Sequence, residues 1–200
     1  MKMNDTDRWL IERWEKLRQV ENAMDGTRQR FESLFREVHK KVRQNHPTLD
    51  RMNVHLNPKE VERWGGNVVF SRGSWPYDLE NWRTGIDVWG ITLDELSSEI
   101  NADPSIYIFF QVKKSDPRIE TFRRRIAAEA PRVFENKNLK WKTTDEDDNR
   151  TLLWYEMPEG KKKFFKMLCD GQEQDFIDCI ANHVDIMCGF IPVLDKLLLS

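Results

Sequence analysis

Gln111 and Lys113 stand at the end of the apolar run Ile106–Phe110 and form a Gln-x-Lys pair. A pair of this kind closes the site of some metal-dependent nucleases. Hard oxygen ligands hold Mg²⁺ there, and the lysine orients the attacking water. The chemistry also needs a carboxylate from a neighbouring element, and Asp87 and Asp103 are the candidates. Two features weaken the match. Glutamine is a poor ligand for a hard cation, and Asp103 lies in an Asp103-Pro104 turn only eight residues before Gln111. The plainer reading is a core strand emerging into water, with Gln111-Val112-Lys113-Lys114 solvating its end. The two readings part on whether Asp87, Asp103, Gln111 and Lys113 converge.

Two further groups carry binding chemistry. Lys113, Lys114, Arg118, Arg123, Arg124 and Arg125 cluster within thirteen positions, and such clusters recognise phosphate backbones. Against this, Asp116, Glu120 and Glu129 dilute the patch, and a solvated helix face has the same composition. Trp75, Tyr77, Trp82 and Arg83 lie in a loop-like segment. Aromatics beside arginine on a loop make a protein-recognition surface, or else fold back over the sheet, as tryptophan often does.

No chain segment offers a cofactor-binding glycine loop or a nucleophile elbow, so no cofactor and no catalytic residue is expected. Cys169, Cys179 and Cys188 form no CxxC. They read as reduced thiols, and His183 between the last two reads as a core filler sooner than a metal ligand.

The elements that must position these groups follow from periodicity. Residues 5 to 44 predict helix, capped by Asp5 or Thr6, with Gly26 either a break or tolerated inside it. Leu10, Trp14 and Leu17 share one face. Phe31, Leu34, Phe35, Val38 and Val42 form a clear amphipathic stripe. Trp14 and Trp89 are expected in the core. Residues 51 to 114 predict strands and turns, including a Gly65-Gly66 turn. Residues 117 to 130 predict a helix with Arg123, Arg124 and Arg125 mostly outward, stopped by Pro131. Leu139–Thr143 and Thr151–Met157 predict a hairpin around the acidic turn 145–149, with Trp141 and Trp154 as cross-strand neighbours. The C-terminus predicts helix, broken at Gly189–Pro192.

The fold class is therefore α+β: an N-terminal helix or helical hairpin, a mostly antiparallel sheet of five to six strands, and a helical C-terminus. Residues 1–46 form the helical segment, and 47–200 the α+β domain, folding as one unit with it. With 32 basic and 34 acidic side chains, the net charge of −2 gives no global attraction to nucleic acid or membrane. No run approaches the roughly 20 apolar residues that span a bilayer, and the N-terminus lacks a signal-like apolar core. A cytoplasmic protein without membrane contact is expected.

The order of features carries a resemblance. Phe31-Glu32-Ser33-Leu34-Phe35 leads to Val69-Phe70-Ser71-Arg72 with Trp75, then Ile106–Phe110, Phe122, Pro131–Phe134, the Trp141–Tyr155 hairpin and Asp175-Phe176-Ile177. This pattern resembles the C-terminal accessory region of bacterial PD-(D/E)XK nuclease-like proteins and related stand-alone domains, over most of residues 28 to 198. In those proteins the catalytic carboxylates lie in a preceding domain. The resemblance implies an accessory or sensing domain connected with phage defence or counter-defence, and carries no catalytic residue over. The leading reading is thus a non-enzymatic module binding a protein partner. Nucleic-acid binding by the basic face is second, and a metal-dependent nuclease third.

Overall fold

The computed structural model describes residues 4–55, 67–75, 82–91, 96, 103–112, 118–135, 137–143 and 151–198. Helices α1 (Asp5–Glu12) and α2 (Trp14–Asn45) precede four strands: β1 (Arg51–His55), β2 (Asn67–Ser71), β3 (Trp82–Trp89) and β4 (Ser105–Val112). Helix α3 (Arg118–Val133) leads to β5 (Trp141–Lys142) and β6 (Thr151–Glu156). Helices α4 (Gly160–Cys169), α5 (Glu173–Cys188) and α6 (Ile191–Leu198) complete the chain. The α+β class is as the sequence predicts. Among the described residues no single helix is long and apolar enough to cross a membrane. The Gly65-Gly66 turn, the acidic turn, Tyr77, Lys113 and Lys114 lie outside the described residues, as do the side chains of Trp82, Arg83 and Gln111.

Every strand pair is antiparallel, in the order β1-β2-β3-β4-β6-β5. Alternation sends Val68, Phe70, Ile86, Val88, Ile106, Ile108, Phe110 and Tyr155 into one core. The C-terminal half of α2 and the face of α5 meet there, with Phe35 against Phe176 at 6.0 Å between ring centroids. Ile108 pairs with Leu153 but Phe109 with Thr151, so Leu152 is one extra residue in β6. This bulge breaks the alternation and lets both Leu152 and Leu153 enter the core.

Three local expectations are corrected, and the open choice at Gly26 falls to the tolerated glycine. Asn4, not Asp5 or Thr6, caps the chain's start: it accepts from Asp7 N–H at 2.8 Å, and the Asp7 carboxylate accepts from Asn4 N–H at 3.0 Å. The helical break falls at Arg13 (φ −114°, ψ 6°), while Gly26 stays inside α2. Pro131 sits within the last turn of α3. It forfeits only one bond at an exposed position, and Phe134 N–H still reaches the Ala130 carbonyl at 2.9 Å. In the hairpin, Trp141 faces Tyr155 and Lys142 faces Trp154. The two tryptophans therefore point to opposite faces of the sheet.

Gly85 is required by close packing. A Cβ there would come within 2.7 Å of the Phe70 carbonyl oxygen and 3.0 Å of Val69 Cγ1. Gly85→Ala should lower stability by about 1–3 kcal/mol, the usual cost of overpacking, read as a lower urea midpoint at unchanged slope.

Candidate functional site

Asp87, Asp103 and Gln111 do not converge. Asp87 is opposite Tyr107, and Gln111 is opposite Arg83. The four-residue offset puts Asp87 and Gln111 about 14 Å apart along the ladder. Asp103 precedes the opposite end of β4, roughly 27 Å from Gln111 at ordinary strand rise. Its Oδ1 is already engaged, accepting the Lys161 N–H at 3.0 Å. A shared Mg²⁺ needs its oxygens within about 2.1 Å of the ion, so Asp87, Asp103 and Gln111 cannot hold one ion between them.

Of the aromatic loop, Trp75 is described, and it is 2% exposed. Its indole N–H donates to Asp195 Oδ1 at 2.8 Å, and Arg72 pairs with the other oxygen of the same carboxylate. Gly73 N–H donates to Asp50 Oδ1 at 2.6 Å. Two carboxylates thus tie the Arg72–Trp75 segment to α6 and to the residue that leads into β1. Trp75 is an anchor folded into the core, out of a partner's reach.

On α3, Arg118, Arg124 and Arg125 are exposed. Arg123 is buried, contrary to expectation. The inward face of α3 runs through Ile119, Phe122 and Ile126, and position 123 lies between them. Arg132 pairs with Glu129 and reaches the Gly189 carbonyl at 3.3 Å. Of the four described arginines of the cluster, three lie at the surface. On the outer sheet face, Tyr107 stacks on Trp154 at 5.8 Å, and Lys142 Nζ lies 4.9 Å from the Trp154 ring.

A buried polar chain joins β6, α4 and α5. Tyr155 Oη lies 3.0 Å from His183 Nδ1, and His183 Nε2 lies 2.9 Å from Glu159 Oε2. Glu159 occupies the N-cap position of α4 with its side chain bonded to His183 and not to the helix amides, and the Cys179 sulfur lies within 4.8 Å of its carboxylate. Burial pushes the Glu159 carboxyl up, but the bonds from His183, its own backbone and Cys179 outweigh this and hold it below the usual range. Burial and the nearby Glu159 charge push the Cys179 thiol up to about 12. A thiol so held stays protonated at neutral pH and is no nucleophile. Cys179 and His183 were visible in the sequence as an i, i+4 pair. Glu159 and Tyr155 had no local signal, because the fold alone brings them there.

Among the described residues, the N-terminal arm carries most of the exposed large apolar side chains. Leu10, Leu17, Met24, Phe31 and Val38 recur every seven residues, the period of helix-to-helix packing. Phe31 and Val38 are buried, whereas Leu10 is exposed and Leu17 half-exposed. Trp9 is 48%, Ile11 62%, Trp14 64% and Val20 57% exposed. The expectation that Trp14 is core is therefore corrected: the stripe runs on beyond the domain that could cover it.

Two variants test the anchored segment. Asp195→Ala strands a buried indole N–H and a guanidinium, and should cost about 2 kcal/mol by the usual range for bonds to charged groups, read by urea denaturation. The Asp50 carboxyl is held below its usual 3.8, first by the Gly73 N–H. A depressed folded value stabilises above the unfolded one and is lost as pH falls through it. The stability gap between wild type and Asp50→Ala should thus be full above about pH 5 and shrink in acid below 3.8.

No family model, curated protein or solved structure matches this chain.

Proposed function

We propose that this chain is a non-enzymatic protein-interaction module whose N-terminal arm pairs with the arm of a second copy. The observation that carries the reading is the seven-residue apolar stripe. It is covered by α5 from Phe31 onward, while Leu10 is exposed and Leu17 half-exposed before it. The covered half already packs on a helix, so the exposed half asks for the same kind of occupant. Residues 4 to 30 carry six acidic and six basic side chains, so two arms meet without net repulsion. Glu21 and Arg28 interrupt the second edge of the stripe. Parallel in-register pairing would set each against its own kind, and an antiparallel two-fold pair avoids this. An accessory role of the sort implied by the pattern resemblance would use such a docking element.

Sedimentation of the full chain over a concentration series tests the reading. Wild type should dimerise. Trp14→Glu with Leu17→Glu should weaken dimerisation at least about 100-fold, from the apolar burial of two large side chains, while the melting profile of the dilute monomer holds. A wild-type chain that is monomeric throughout, or a double variant that dimerises equally well, overturns the proposal.

A further inference from the structure

We propose that Glu159, Cys179 and His183 form a binding site for a divalent transition cation, with Zn²⁺ the fitting ion. Cys179 and His183 are one turn apart on α5 and so share a face. That face meets the start of α4, where Glu159 sits. One ligand atom from each of the three residues lies within 4.8 Å of the others. Tetrahedral bonds of about 2.0–2.3 Å place ligand atoms roughly 3.3–3.8 Å apart, so small side-chain movements suffice. The donor set is a thiolate, an imidazole nitrogen and a carboxylate oxygen. It suits Zn²⁺, while Mg²⁺ and Ca²⁺ take oxygen ligands.

An independent observation comes from the far side of the imidazole. Tyr155 is wholly buried, and its hydroxyl lies 3.0 Å from His183 Nδ1 and 3.5 Å from the His183 carbonyl oxygen. When the hydroxyl proton goes to that carbonyl, the Tyr155 oxygen accepts from Nδ1–H. The Nε2 lone pair then faces Glu159 Oε2, which lies 2.9 Å away with the proton in place, and a cation can bridge the two atoms. Fixing one ring nitrogen to present the other is how proteins orient a histidine ligand. Without metal, the opposite arrangement holds: Tyr155 donates to Nδ1 and Nε2–H donates to Glu159. Binding therefore displaces the thiol proton of Cys179 and switches the imidazole tautomer. Lys163 lies near Cys179; its charge opposes a bare cation but favours the thiolate. The Glu159 side chain is 17% exposed, so water reaches the fourth coordination position.

The test uses the full chain, stripped with chelator and titrated with Co²⁺ as a spectroscopic stand-in and then with Zn²⁺. The expected result is one Co²⁺ per chain with a thiolate-to-cobalt charge-transfer band that Zn²⁺ abolishes. Cys179→Ala should lose the band. Cys188→Ala, at the separate His46, Asp185 and Cys188 cluster, should keep it. Tyr155→Phe should keep the band but weaken affinity 10- to 100-fold, as loss of an outer-shell partner does. Circular dichroism of each metal-free variant separates lost binding from lost folding. If Cys179→Ala does not fold, Glu159→Gln gives the same answer through weakened affinity. No thiolate band in wild type, or a band that follows Cys188, overturns the site.

Discussion

Four phenylalanines knot α2, α4 and α5 together. Phe31 meets Phe35 at 5.3 Å, both approach Phe176, and Phe164 closes on Phe176 at 5.8 Å. The contacts are tilted or edge-on, the favoured arrangement of ring quadrupoles. Phe31 and Phe35 belong to α2, Phe176 to α5 and Phe164 to α4, so one junction sets the seat of α5 on the sheet. Everything polar of interest follows from that seat. It carries His183 to Tyr155 and Glu159, and brings Asp185 to Asn45 and His46 at the end of α2. A loss of the junction would release both ends of α5 together.

The same junction bears on the arm. Helix α2 is 32 residues long, about 48 Å at helical rise, yet only its second half is packed. An unpacked helix of that size is marginal in water because nucleation is costly. Here the buried half supplies the nucleus, and the exposed half propagates from it at the smaller cost of one residue at a time. The arm's order is borrowed from the core. Its apolar stripe remains in water, a standing free-energy cost that burial would remove.

The elements that were legible in the sequence are those whose burial is periodic. Phe31, Phe35, Val38 and Val42 mark a helix face without help from the rest of the chain, and Ile106–Phe110 mark a central strand. Periodicity reports a stripe and is silent on whether anything covers it, which is why Trp14 reads as core and lies in water. Arg123 shows the converse: a charged residue invites an outward assignment, but its spacing from Ile119 and Ile126 puts it inward. Trp75 was legible as an aromatic beside an arginine. Its acceptor Asp195 is 120 positions away and leaves no local trace. The chain Tyr155–His183–Glu159 is hidden for the same reason, since its members come from three different elements.

The placement of β6 between β4 and β5 has a consequence for the chain as it is made. Strand β4 is the most apolar of the sheet, and β3 can cover one of its edges as soon as both have emerged. The other edge waits for β6, about forty residues later. At ordinary rates of synthesis this leaves Ile106–Phe110 with an open row of amides and carbonyls for several seconds. Helix α3, the next described element, packs on that region through Phe122 against Phe110 at 4.4 Å, and so can cover the apolar face of the nascent strand in that interval.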